Sequence, residues 1–71
     1  MNNIKSERNR LSLTQEALGV RLGVSERRVG RWENETIPIP SSMAIEMSKM
    51  FGCSTDYLFG LSDERVPNRT P

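Results

Sequence analysis

Apolar residues recur at helical spacing in several short segments, which glycine, proline and capping residues separate. Ile4 and Leu11 stand two turns apart behind Asn2 or Asn3, either of which can serve as N-cap, so the first segment is predicted to be a helix. No useful length of the chain alternates between apolar and polar residues with a period of two. The pattern therefore predicts an all-α fold.

Two more helices are predicted in immediate succession. Thr14 is a good N-cap for "QEALGVRL", in which Leu18 and Leu22 share one face, and Gly23 ends the segment. Only Val24 then precedes Ser25, the next N-cap. Helices joined by so few residues cannot lie antiparallel, so they are expected to cross at about 90–120°, as in a helix-turn-helix.

The third helix, "ERRVGRWEN", has two contrasting faces. Val29 and Trp32 stand three apart and form a narrow apolar stripe that is expected to face the core. A tryptophan can also serve as a stacking platform for bases, but its spacing from Val29 favours burial. The opposite face is polar and carries Glu26, Arg27, Gly30 and Arg31.

The remaining segments complete a compact bundle of about five short helices. "ETIPIPSS" contains two helix-breaking prolines and is predicted to be a loop. A fourth helix is expected from Pro40 or Ser41 to Gly52, and a fifth after Ser54, with Tyr57, Leu58, Phe59 and Leu61 turned inward. The prediction is one domain over residues 1–61, with its helix-turn-helix at 14–33. Residues 62–71 are expected to be a mobile tail or the start of a linker.

Composition excludes several classes of function. The chain has no histidine and a single cysteine, Cys53, so neither an internal disulfide nor a metal site is expected. No paired carboxylates, activated nucleophile or phosphate-cradling glycine loop occurs, and we expect no enzyme, no cofactor and no small-molecule ligand. No membrane span or signal peptide is evident, which favours the cytoplasm.

The small net charge of +1 conceals a division of charge along the chain. Residues 1–31 contain seven basic and three acidic residues, a net charge of +4, whereas residues 32–71 contain three basic and six acidic residues, a net charge of −3. Such a distribution would orient the molecule against a polyanion. On its own, however, three arginines on one helix are more often a solvated face than a binding surface.

"LTQEALGVRLGVSERRVGRWEN" resembles the helix-turn-helix of the lambda repressor and Cro-like family, the Xre type, and "MSKMFGCSTDYLFG" is similar to that family's last two helices. The resemblance extends from Ile4 to Leu61. It implies a lambda repressor-like bundle whose third helix enters the major groove of double-stranded DNA. It also implies a transcriptional regulator, a repressor by expectation, of bacterial or phage origin, cytoplasmic and associated with the nucleoid through DNA. The alternative is an antitoxin or adaptor that binds a protein partner, with DNA binding secondary.

Candidate DNA contacts fall into two sets. The leading residues of a recognition helix meet base edges, and arginine offers a planar fork that matches guanine. The expected base contacts are therefore Ser25, Glu26, Arg27, Gly30 and Arg31. By resemblance and by their place at the rim of the groove, the expected phosphate contacts are Arg8, Thr14, Gln15, Arg28 and Asn34.

Two positions depart from the family pattern. Glu35 stands where the family often has glycine, which puts a carboxylate near the phosphates. Gly19 stands where alanine is usual, and it is expected to loosen the second helix without touching the contact surface. Gly30 costs about 1 kcal/mol relative to alanine inside a helix, which suggests a close approach to DNA or to the preceding helix.

The resemblance further implies a homodimer, at least on DNA, bound to an operator with two-fold half-sites. Ile45 is turned away from the apolar face of the fourth helix. With Phe59 and Leu61 it forms a candidate dimer patch. Cys53 is interpreted as a small buried apolar residue rather than a redox switch.

Overall fold

A computed structural model of the protein describes residues 1–65, and it confirms the all-α fold. Within that range there is no strand, and no helix is long and apolar enough to cross a bilayer. The described residues form five helices: α1 (Ile4–Arg10), α2 (Gln15–Leu22), α3 (Glu26–Glu33), α4 (Ser41–Phe51) and α5 (Thr55–Leu58). Of the predicted tail at 62–71, residues 66–71 lie outside the described residues.

Three of the predicted N-caps are confirmed. The hydroxyl oxygens of Thr14, Ser25 and Ser54 each accept a backbone N–H from three positions on, at 3.0–3.1 Å. The two predicted glycine stops are also confirmed, because Gly23 has a φ of 73° and Gly52 a φ of 69°. These local signals set where α2 and α3 begin and how α2 and α4 end.

The first helix is capped differently from the others. Asn3 occupies the N-cap but its side chain makes no capping bond. The Oδ1 of Asn2 instead accepts the N–H of Ile4 at 3.2 Å, while the side chain of Asn3 donates to the carbonyl of Tyr57. The start of α1 is thereby tied to α5.

The core lies where the helices meet, and Val29 and Trp32 belong to it as predicted, with 0% and 1% exposure. The other buried apolar residues are Ile4, Leu18, Ala44, Met47, Phe51, Cys53 and Leu58. The indole Nε1 of Trp32 has no hydrogen-bond partner within residues 1–65. The inward orientation expected of Leu61 is wrong, because α5 ends at Leu58 and Gly60, at a φ of 77°, turns the chain outward; Leu61 is 78% exposed.

The turn between α2 and α3 presses its backbone onto Gly19. A Cβ at this buried glycine would lie 2.6 Å from the carbonyl oxygen of Val24 and 3.2 Å from the carbonyl carbon of Ser25. The sequence interpretation of Gly19 as a residue that only loosens α2 therefore misses its role. The missing side chain lets α3 start directly against α2.

The two helix-interior glycines form a matched pair for testing this packing. Both should gain up to about 1 kcal/mol of helix propensity on mutation to alanine. At Gly30 the new Cβ meets only the flexible side chain of Gln15, at 3.5 Å, so we expect Gly30→Ala to be stabilising. At Gly19 the clash is with backbone, and an overpacking cost of about 1–3 kcal/mol should outweigh the gain. Urea unfolding measures the free energy of unfolding of both variants. An equal rise in both would contradict the close approach of the α2–α3 turn to Gly19.

Hydrogen bonds and ion pairs attach the segment after α5 to α1 and α4. The carboxylate of Glu7, only 2% exposed, accepts bonds from Arg65 at 2.9 and 3.0 Å and from Arg10 at 3.1 Å. Both arginines also donate to the carbonyl of Phe51 at 2.6 Å. The hydrogen bonds from Arg65, with those from Arg10, lower the pKa of Glu7 below its ordinary value of 4.5 in spite of its burial.

This lowered pKa predicts a loss of stability in acid. A carboxyl group whose folded-state pKa is depressed stabilises the fold above its unfolded-state pKa, and that contribution is lost as the pH falls through the folded-state pKa. We expect the urea midpoint of the wild-type protein to fall more steeply from neutral pH to about pH 3 than that of Glu7→Gln. Parallel pH profiles would show that Glu7 does not contribute in this way.

Candidate nucleic-acid interface

The outward face of α3 is polar and accessible. Ser25, Glu26, Arg27, Arg28 and Arg31 are all exposed, and Gly30 is half-buried among them. Within residues 1–65, the guanidinium groups of the three arginines make no hydrogen bond or ion pair. The fold therefore leaves these charges available to an external anion.

A cleft of about 480 Å³ joins α3 to the start of α2. We call it the recognition cleft, and its lining residues are Gln15, Glu26, Arg27, Gly30, Arg31 and Asn34. It brings together four of the five expected base contacts and two of the expected phosphate contacts. Ser25, Thr14 and Arg28 are exposed but do not line it.

Arg8 is placed differently from the exposed contact residues. It is 8% exposed, and all three of its guanidinium nitrogens are already bonded inside the protein. Nη1 donates to the carbonyl of Leu13 at 2.9 Å, while Nε and Nη2 donate to Glu33 at 2.7 and 3.3 Å. The structure thus directs the guanidinium group of Arg8 inward, to Glu33 and Leu13, whereas the sequence analysis expects it to face a phosphate. In this position Arg8 supports the site from inside.

Glu33 is the centre of this support. Its side chain is 4% exposed and accepts both Arg8 and, at 3.1 Å, the Nε2 of Gln15. A single carboxylate at the end of α3 is thus bonded to α1 and to the first residue of α2. We call these three residues the Glu33 clamp. It fixes the end of α3 that lies farthest from the capping bond at Ser25.

Glu33 is absent from the residues that the sequence predicts to form the site. A signal was available, because Glu33 stands four residues after Val29 and hence on the inward face of α3. A charged group on an inward face requires a buried partner of opposite charge. The spacing indicates that such a partner exists without showing which of the arginines supplies it.

Glu35, one of the two departures from the family pattern, keeps the backbone conformation that a glycine would adopt. Glu35 is exposed and has a φ of 59°, in the left-handed region that glycine adopts without steric cost. Its N–H donates to the carbonyl of Trp32, and the N–H of Thr36 donates to that of Arg31. The turn is thus kept although a glycine is absent, and the carboxylate of Glu35 does not line the recognition cleft.

The three residues of the candidate dimer patch do not share one cleft. Phe59 is half-buried and lines a separate cleft of about 330 Å³ with Trp32, Ile37 and Ile39. Ile45 is 47% exposed on α4 and Leu61 is exposed beyond α5, and neither lines that cleft.

Within residues 1–65, no group of three or more histidine, cysteine, aspartate or glutamate side chains is placed to hold a metal ion. Cys53 is fully buried, as interpreted from the sequence, and burial raises the pKa of its thiol above the ordinary value. A buried, protonated thiol is a poor nucleophile.

Comparisons with known proteins agree with this geometry. A family model described as "Helix-turn-helix" matches residues 4–58. Repressor protein C2 of Salmonella phage P22 is 39% identical over 56 residues, a match that covers 78% of this chain and 26% of that protein. The chain therefore spans about a quarter of the length of this curated relative. No solved structure matches significantly.

Proposed function

Because the chain belongs to the helix-turn-helix family of the lambda repressor and Cro-like, or Xre, type, a family of DNA-binding regulators, we propose that it is a sequence-specific transcriptional repressor. The observation that carries this proposal is the recognition cleft, in which two exposed arginines of α3 lie beside Gln15 and Asn34. The repressor role is supported by the similarity to the phage protein.

In the proposed complex α3 lies in the major groove. The groove is about 12 Å wide and admits one helix, whose leading residues meet the base edges. Arg27 and Arg31 are four residues apart and exposed, so both guanidinium forks reach the same stretch of groove. Each donates to O6 and N7 of a guanine, Glu26 accepts from a cytosine amino group, and Ser25 and Gly30 contact the adjacent base edges.

The sugar-phosphate strands are held by the residues around α3. Thr14, Gln15, Arg28 and Asn34 supply these contacts in the proposal. The Nε2 of Gln15 donates to Glu33, so this side chain both braces α3 and lies at the edge of the cleft. Arg8 is assigned a positioning role through Glu33 rather than a phosphate contact.

Two copies of the chain are proposed to bind one operator. A two-fold arrangement places the α3 helices in successive major grooves on one side of the duplex, about 34–36 Å apart. The exposed apolar residues Ile45 and Leu61, together with Phe59, are the surface proposed for contact between the copies.

Selection of bound duplexes from a random pool tests the proposed function. We expect a recovered sequence made of two inverted half-sites, and an affinity that falls with salt at a slope of about −0.9 per neutralised phosphate. Recovery of a single half-site would contradict the dimer alone. Absence of any preference at low salt would contradict the repressor and favour a protein-interaction module.

A further inference from the structure

A second polar cleft, of about 560 Å³, adjoins the recognition cleft on the side of α1. We call it the α1 cleft, and its lining includes Lys5, Ser6, Asn9, Gln15, Glu33 and Asn34. Gln15 and Asn34 line both clefts. A strand that passes over these two residues on its way along the recognition cleft therefore meets the α1 cleft next.

The α1 residues of this cleft form one exposed, unpaired face. Lys5 and Asn9 are four apart, and Ser6 lies beside them on the same side of the helix. Within residues 1–65 none of their side chains makes a hydrogen bond or ion pair. Ile4 and Glu7, by contrast, point into the protein and are buried. The outer face of α1 is therefore not needed to hold the fold together.

The donors in the α1 cleft match an anionic acceptor. An ammonium group, a hydroxyl and a carboxamide all donate hydrogen bonds, whereas a phosphodiester can only accept them. Glu33 is the acidic residue among the six, and its carboxylate is already occupied by Arg8 and Gln15. Met1 and Asn2 also line the cleft, and the N-terminal ammonium of Met1 lies 3.8 Å from the carboxylate of Glu35. Lys5 therefore carries the one positively charged side chain among the lining residues, which suits a singly charged phosphodiester.

We propose that the α1 cleft is a further phosphate site, in which Lys5, Ser6 and Asn9 hold the sugar-phosphate strand that leaves the recognition cleft over Gln15 and Asn34. The inference rests on the proposed function and extends the footprint of the domain to α1. Because phosphates carry no sequence information, the site contributes affinity equally for all duplexes.

The test is the salt dependence of Lys5→Gln binding to a fluorescent random-sequence duplex and to the duplex selected above. Loss of one phosphate contact should reduce the magnitude of the salt slope by about 0.9. The affinity ratio of wild type to variant should therefore fall about 3.5-fold between 50 and 200 mM salt. Asn9→Ala should weaken binding to the random-sequence duplex and to the selected duplex by the same factor, with little change in the salt slope.

Lys49→Gln is the matched control, because Lys49 is exposed on α4 and lines neither cleft. It removes the same charge and should leave the slope unchanged. Lysine and glutamine have similar helix propensities, so both lysine variants should melt near the wild-type temperature. Equal slopes for Lys5→Gln, Lys49→Gln and wild type would overturn the α1 site.

This failure is distinguishable from failure of the proposed function. If the wild-type protein prefers the selected duplex and Arg31→Ala loses that preference, an unchanged Lys5→Gln slope removes only the α1 site. If the wild-type protein binds no duplex at low salt, the α1 site and the proposed function are both overturned.

Discussion

Replacement of Glu33 by alanine is expected to lower the free energy of unfolding by about 3–5 kcal/mol, the usual cost of removing one member of a buried ion pair. The variant leaves the guanidinium of the buried Arg8 without its carboxylate, and it leaves the Nε2 of Gln15 without an acceptor. A domain of this size has a total stability of about 5–15 kcal/mol. Urea or thermal unfolding followed by circular dichroism should therefore show a midpoint well below that of the wild-type protein.

The double variant Arg8→Met/Glu33→Leu separates ion-pair loss from simple loss of packing. Replacing both charged partners by apolar groups removes the stranded charge, and such replacements are often neutral or stabilising. We expect the double variant to recover most of the lost stability. Glu46→Gln is the control, since this carboxylate is exposed on α4, and its effect should stay within about 0.5 kcal/mol. A Glu33→Ala protein as stable as Glu46→Gln would show that the clamp contributes nothing.

The second large effect is expected on the affinity for DNA. Arg27→Ala or Arg31→Ala should each weaken binding to the selected duplex by about 1–3 kcal/mol, because each good bidentate contact with guanine discriminates by this amount. A loss of 1.4 kcal/mol is a factor of ten in affinity. Each substitution should also relax the preference at one base pair of each half-site, which a repeat of the selection measures.

Two substitutions outside the base-reading set provide the comparison. Arg28→Ala changes the same residue type on the same helix, and Gln15→Ala changes the brace at the start of α2. Both should weaken binding to all duplexes alike, since phosphate contacts carry no base preference. An altered base preference in Arg28→Ala, with none in Arg27→Ala or Arg31→Ala, would contradict these assignments. It would show that Arg28 reads bases and that the other two arginines do not.

The two substitutions with the largest effects probe different properties of the same helix. The side chain of Glu33 is buried at the end of α3, so its loss should reduce the free energy of unfolding. DNA affinity should fall only because less of the protein is folded. The guanidinium groups of Arg27 and Arg31 make no hydrogen bond or ion pair within residues 1–65. Their loss should reduce affinity at unchanged melting temperature. Melting and binding curves of these variants can therefore distinguish a residue that holds α3 in the fold from residues of α3 that contact DNA.

Local signals in the sequence were sufficient for the helices. Hydroxyl caps at Thr14, Ser25 and Ser54 and glycine stops at Gly23 and Gly52 act over one turn of chain, so they can be read without knowledge of the rest. The spacing of Val29 and Trp32 likewise identified the inward face of α3. The expected outward face of α3 followed from the same periodicity.

Contacts between distant segments could not be read in this way. The partner of Glu33 is 25 positions earlier and that of Arg65 is 58 positions earlier, and neither pairing has a local signature. The requirement for glycine at position 19 comes from the backbone of the following turn, which only the packed helices bring into contact. Leu61 was misplaced because an apolar residue after a short helix gives no sign of whether the chain turns back or away.

The guanidinium groups of Arg27, Arg28 and Arg31 make no hydrogen bond or ion pair within the described part of the chain, and this has an evolutionary consequence. Substitutions at the two proposed base-reading positions, Arg27 and Arg31, are expected to change the preferred DNA sequence without reducing the fraction of folded molecules. Because stability resides in the clamp and the caps beneath them, new specificities can accumulate stepwise while every intermediate sequence still folds. Related helix-turn-helix proteins that share this scaffold are thus expected to diverge in DNA preference faster than in their cores.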